Sequence, residues 1–162
     1  KGDISDLLQI NGDDAVTRYL PYTTWQSLAD GKAWFERMSV LNKSGTALQF
    51  VIVEKKKNRI IGTCLLFRYD EGSSRAEIGY VTGRKQWNKG FTREALSALI
   101  TYAFEGNALR RLEAEVDPQN VASNRLLVKL GFSCEGLLRQ RWTANHDTHI
   151  YGLLREDWPT AS

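Results

Sequence analysis

The stretch Arg75–Phe132 constrains the fold more than any other part of the chain. It begins with the alternating run Arg75-Ala-Glu-Ile-Gly-Tyr-Val-Thr82 and passes through Gly83-Arg-Lys-Gln-Trp-Asn-Lys-Gly-Phe-Thr92. From there it enters Arg93-Glu-Ala-Leu-Ser-Ala-Leu-Ile-Thr-Tyr-Ala-Phe104. A period of two predicts a strand and the later run predicts a helix, so a strand ends in a basic, glycine-containing turn that feeds straight into a helix N-terminus. Such a junction aims several unpaired backbone N–H groups and the positive end of the helix dipole at one point. A phosphate or pyrophosphate is the natural guest.

The segments on either side predict the rest of the fold. Asp3 to Tyr19 reads as a helix with a turn at Asn11-Gly12, followed by a loop at Arg18–Tyr22. Trp25 to Leu41 reads as a second helix, and core packing is the expected role of Tyr22, Trp25 and Trp34. Leu48–Val53, Arg59–Tyr69 and Ala76–Thr82 are three β-rich runs joined by turns at Asn58 and at Asp70-Glu-Gly-Ser-Ser74. Connections this short predict an antiparallel meander. Arg110–Val116 is a further strand stopped by Asp117-Pro118, and Asn120–Leu130 is a helix whose apolar side is Val121, Leu126, Leu127 and Leu130. Asp117 or Asn120 is placed to cap it and Gly131 to close it. Phe132–Trp142 and Thr148–Leu154 form two last strands around Ala144-Asn-His-Asp147. The order ααβββαβαββ, with no repeat and no linker, predicts one α+β domain over residues 1–162.

Composition excludes little but narrows the partners. A net charge of +3 over 162 residues favours anionic ligands without supplying the basic stripe of a nucleic-acid binder. Lys55-Lys56-Lys57 falls at a hairpin turn and reads as a solvated corner. Cys64 and Cys134 have no paired or metal-type spacing, so buried reduced thiols and a cytoplasmic setting are expected. Two histidines without a carboxylate or thiol cluster give no metal site, and no apolar run is long enough to span a membrane. The chain opens on Lys1, which is consistent with an upstream piece having been removed.

Four segments in this order, Glu77-Ile-Gly-Tyr-Val81, Trp87-Asn-Lys-Gly-Phe-Thr-Arg-Glu-Ala95, Asn120-Val-Ala-Ser-Asn124 and Lys129-Leu-Gly-Phe132, resemble the GCN5-related N-acetyltransferase superfamily. Its RimJ/RimL-like branch, whose members include ribosomal-protein N-terminal acetyltransferases, is the nearer match. The resemblance implies a mostly antiparallel mixed sheet flanked by helices, with splayed strands at an acetyl-CoA cleft. The strand that usually precedes the first helix is not evident here. The family's pyrophosphate signature falls on Trp87, Gly90 and Thr92, of which Gly90 alone matches cleanly. The resemblance further implies that amides from Lys89, Gly90, Phe91 and Thr92 bind the pyrophosphate, with Arg84 and Lys85 adding charge. Tyr80 and Val81 would pair their backbone with the pantetheine arm, and Asn120, Ser123 and Asn124 would face it. The tyrosine that many members use as an acid falls on Leu127, which cannot donate a proton.

Acetyl transfer to an amine requires that an ammonium lose a proton, that the amine meet the thioester carbonyl, and that the departing thiolate be stabilised. Glu77 is the first candidate base, with an ion pair to Arg75 or Arg111 as its competing structural role. Glu115 is the second, and Ser123, Tyr151 or water are candidates to serve the thiolate. His146 and His149 are suited to proton transfer by residue type but are expected on a substrate rim rather than in catalysis. The resemblance implies a small amine or a protein N-terminus, such as that of a ribosomal protein, as the acceptor. A non-catalytic acyl-CoA-binding domain and a basic RNA-binding module are the competing readings, and dimerisation through strand edges is open.

Overall fold

In the computed structural model, residues 2–142 and 146–159 are described. Ten of the expected segments are present, with shifted ends and one addition. The chain enters through α1 (Gly2–Asn11), the short α2 (Asp14–Thr17) and α3 (Leu28–Ser44). Three strands follow, β1 (Ala47–Glu54), β2 (Arg59–Asp70) and β3 (Arg75–Thr82). Then come α4 (Phe91–Thr101), β4 (Arg111–Val116), α5 (Val121–Lys129), β5 (Ser133–Trp142) and β6 (His146–Leu154). The strands hydrogen-bond in the order β1-β2-β3-β4-β6-β5. The β1–β2, β4–β6 and β5–β6 ladders are antiparallel, whereas β3 and β4 run parallel. Among the described residues no helix is long and apolar enough to cross a membrane.

The chain forms two compact units, one of Lys1–Phe67 with Gly79–Leu96 and the other of Arg68–Ile78 with Ser97–Ser162. In the first unit Leu7, Ile10, Val16, Trp25, Ile60 and Val81 make the core, with Leu8, Leu20 and Trp34 packed on it. The expected start of the second helix moves. Trp25 lies outside α3 because Ser27 caps it, in a capping box completed by Asp30. Trp25 is buried all the same and meets Trp34 with ring centroids 5.9 Å apart, so its role is packing. Tyr22 donates from its hydroxyl to Asn11 Oδ1 at 2.9 Å. Gly45 ends α3 at φ 71, a left-handed closure that costs a side-chain-bearing residue more. Lys55, Lys56 and Lys57 sit in the exposed β1–β2 turn.

In the second unit α4 continues into a π-helical turn, Tyr102–Gly106, instead of running on as α-helix to Phe104. β4 alternates strictly: Leu112, Ala114 and Val116 are buried while Arg111, Glu113 and Glu115 are partly covered. That period of two puts Glu113 and Glu115 on one face. Asn120 caps α5 by accepting from Ser123 N at 3.2 Å, and Gly131 follows it at φ 91. Leu127 and Leu130 are buried, but Val121 is 53% exposed, because the first turn of α5 turns that position to solvent. The turn expected at Ala144-Asn-His-Asp147 lies partly outside the described residues. Cys64 is buried, with its thiol pushed up to about 11 by that burial. Cys134 is exposed, against expectation, because it sits on β5, every residue of which is exposed.

Candidate active site

In the first unit the end of β3 and the start of α4 build the turn that the sequence pointed to. Gly83 N donates to Ile61 O at 2.9 Å, and a short 3-10 turn, Arg84–Gln86, follows. The Trp87 indole N–H donates to Thr82 O at 2.8 Å and fastens the turn to the strand end. The Thr82 and Thr92 hydroxyls are 2.9 Å apart and tie the strand to the first turn of α4. Asn88 at φ 59 and Gly90 at φ 84 reverse the chain. At Gly90 an added Cβ would meet nothing within 4 Å, so the glycine serves backbone conformation rather than space. The helical ladder of α4 opens with Glu94 N donating to Gly90 O at 3.0 Å. The amides of Phe91, Thr92 and Arg93 therefore precede the ladder and carry the positive end of the dipole. Arg84 is committed to Asp13, Nε to Oδ2 at 2.9 Å, while Lys85 and Lys89 are exposed.

The second unit gathers carboxylates and guanidinium groups on one sheet face. Arg68 Nη1 donates to Glu77 Oε2 at 2.8 Å and to Glu115 Oε1 at 3.1 Å. Arg141 Nη2 adds a contact to the same Glu115 oxygen at 3.3 Å. The partner of Glu77 is thus Arg68, not Arg75 or Arg111. Arg75 bonds Asp70 and Glu113, and Arg111 bonds Glu113 and Glu135, so both are occupied elsewhere on the sheet. The Arg68 guanidinium carbon also stands 5.5 Å from the Trp142 ring centroid. Arg68 has φ 51, a conformation costing a side-chain-bearing residue about 1 kcal/mol. Burial raises the Glu77 carboxyl to about 7, with Arg68 pulling it down and the Glu115 charge pushing it up. A carboxylate poised there can accept a proton near neutral pH.

Along α5 the Asn124 amide is fully occupied within the protein. Its Nδ2 donates to Asp117 O at 3.0 Å and Asn120 O at 2.7 Å, which fixes the amide orientation. Its Oδ1 accepts from the Tyr151 hydroxyl at 2.7 Å and lies 2.8 Å from His149 Nδ1. His149 must therefore carry its proton on Nδ1. His146 Nδ1 pairs with Asp117 Oδ2 at 2.8 Å. Burial raises the Tyr151 phenol above its ordinary value. Leu127, where the resemblance implies a tyrosine, is fully buried. The β3–β4 ladder pairs Arg75, Ala76 and Glu77 with Arg111, Leu112 and Glu113, although β3 runs on to Thr82 and β4 to Val116. Among the described residues no group of three or more His, Cys, Asp or Glu side chains could hold a metal.

Sequence reasoning missed Arg68, because a lone arginine inside an apolar strand carries no motif. A faint signal existed, since a charge inside an apolar β-run calls for a partner on a neighbouring strand.

Comparison with known proteins decides the family. Residues 1–133 match the model of the acetyltransferase (GNAT) domain. The chain belongs to the GNAT family of N-acetyltransferases. It is 36% identical to an uncharacterized N-acetyltransferase of Bacillus licheniformis over 159 residues, covering 96% of this chain and 89% of the relative. It is 32% identical over 135 residues to the ribosomal protein uS5-alanine N-acetyltransferase of Escherichia coli, covering 77% and 68% of the two chains. A GNAT-family acetyltransferase crystal structure from Bacillus anthracis superposes with a TM-score of 0.82 at 27% identity, covering 95% of this chain and 90% of that one. The family, the branch and the mixed α+β fold thus agree with the residue-level resemblance.

Proposed function

We propose that this GNAT-family enzyme moves the acetyl group of acetyl-CoA to a primary amine by direct attack, with Glu77 as the general base. The observation that carries the reading is the Glu77 carboxyl, buried against Arg68 and raised to about 7. Glu77 takes the proton of the acceptor ammonium, directly or through one water. The amine nitrogen then bonds to the thioester carbonyl carbon, the C–S bond breaks, and the second nitrogen proton leaves with the departing thiolate as free thiol. Ser123, on the first turn of α5, is the hydroxyl assigned to that thiolate. No covalent enzyme intermediate is needed, and neither cysteine lies among the residues assigned here.

The backbone from Lys89 through Gly90 and Phe91 to Thr92 is assigned to the pyrophosphate, with the exposed Lys85 and Lys89 adding positive charge and Arg84 held to Asp13. Tyr80 and Val81 offer strand backbone to the pantetheine arm. Asn120 caps α5 and stands at its N-terminus, whereas Asn124 acts by holding His149 and Tyr151. The relative acting on ribosomal protein uS5-alanine supports a protein N-terminal amine as the acceptor.

Incubation with acetyl-CoA and a panel of N-terminal peptides and free polyamines, following thiol release and the mass gain of one acetyl group on the amine, tests this. Peptide-dependent turnover that collapses in Glu77→Gln is the expected result. Turnover only with polyamines overturns the acceptor assignment, and undiminished turnover in Glu77→Gln overturns the base.

A further inference from the structure

We propose that Glu115 docks the acceptor's ammonium through Oε2, a binding role separate from the proton transfer at Glu77. The inference rests on the amine-acetyltransferase reading above and assigns its ground-state recognition group. Three carboxylates share this part of the sheet, and their oxygens are used differently. Glu113 has both oxygens occupied, Oε2 by Arg75 Nη1 and Oε1 by Arg111 Nε, each at 2.8 Å. Glu115 accepts from Arg68 at 3.1 Å and Arg141 at 3.3 Å on Oε1 alone. Its Oε2 is buried without a hydrogen-bond partner, on a side chain only 10% exposed.

A buried carboxylate oxygen with no donor is among the costlier states in a protein interior. Two guanidinium groups hold Oε1 in place and so fix where Oε2 points. A second buried group without a partner, the Thr148 hydroxyl, stands on the same face and can accept as well as donate. β4–β6 register sets Glu115 opposite Ile150, and Thr148 is two positions along that strand. An open carboxylate oxygen and an open hydroxyl, on a face that gathers three carboxylates, favour a donor-bearing cation over an anion. They fit a ligand bearing several N–H donors and a positive charge, which a primary ammonium supplies with three. No bond is made or broken at Glu115. The proton leaves to Glu77, and Glu115 fixes where the nitrogen sits beforehand.

The test is steady-state kinetics of the wild type, Glu115→Gln and Glu77→Gln with an N-terminal peptide, together with peptide binding to the CoA-saturated enzyme. In Glu115→Gln the KM for the peptide amine is expected to rise about 10- to 100-fold, the size of a lost hydrogen bond to a charged group. The KM for acetyl-CoA should stay put and kcat at saturating peptide should change far less. A fall in kcat at unchanged amine KM overturns the proposal, as does no change in either constant. Should Glu115→Gln fail to fold, the docking role is read from binding alone. Glu77→Gln must still prefer the peptide ammonium over the analogue carrying a hydroxyl in its place by at least about 10-fold. Loss of that preference in Glu77→Gln assigns recognition to Glu77 and overturns the proposal. Wild-type turnover with the peptide tests the underlying function separately, so the two failures are distinguishable.

Discussion

Replacing Glu77 by Gln makes the stability difference between variant and wild type depend on pH, with a sign fixed by the structure. The ordinary glutamate value is 4.5, and burial in the folded protein raises Glu77 to about 7 despite the opposing pull of Arg68. Between those values the folded chain holds a proton that the unfolded chain has released. A raised carboxyl therefore contributes its full stabilisation below the unfolded value and loses it as pH rises through the folded one. The shift is worth about 3 kcal/mol, at roughly 1.4 kcal/mol per unit, and the side chain is only 10% exposed, so little is lost to solvent screening. Most of it, about 2 to 3 kcal/mol, falls between about pH 5 and about pH 8. Glutamine cannot titrate, so Glu77→Gln should gain on the wild type by that amount over this interval. Urea unfolding of both proteins at the two pH values measures it, and unchanged m-values confirm that the same surface unfolds. A gap that stays constant with pH would refute the buried, raised carboxyl. A gap that moves the other way would mean that Arg68 outweighs burial and holds the carboxylate charged.

The same titration should appear in catalysis, with kcat/KM for the amine rising with pH through about 7 as Glu77 ionises, and a flat wild-type profile there would remove it as the base. Gly90→Ala should destabilise the protein by about 1 kcal/mol from its φ of 84 and raise the KM for acetyl-CoA more than that for the amine. Because an added Cβ meets nothing within 4 Å, Gly90→Asn should recover part of the stability by tolerating the left-handed region, and equal behaviour of the two variants in melting would count against this account. Native protein should show one thiol to an aromatic disulfide reagent, the exposed Cys134, and denatured protein two, whereas rapid labelling of Cys64 in the native state would contradict its burial.

Most elements were legible in the sequence because the signals that specify them are local. Asn120 caps α5 and Gly131 closes it where the pattern placed them, and Gly90 takes the positive φ that the turn before α4 requires. Where the reading slipped, a nearby competitor won. Ser27 and Asp30 form a better helix start than Trp25, and the π-helical turn replaced the last residues expected in α4. The candidate site divides the same way. The turn from Gly83 to Thr92 is a contiguous stretch, so its geometry could be anticipated residue by residue. The carboxylate face is assembled from β2, β3, β4 and β5, and no contiguous pattern encodes it.

By itself, then, the chain determined its order of helices and strands, its glycine turn and the acidic residues available for catalysis. Periodicity, caps and left-handed glycines act over a few residues and survive without knowledge of the neighbours. Only the tertiary structure decided that Glu77 meets Arg68 and not Arg75 or Arg111, that burial lifts its carboxyl to about 7, and that one oxygen of Glu115 is left without a donor. Strand register and the left-handed backbone at Arg68 select those pairs, and desolvation sets their charge. Both depend on residues far apart in sequence.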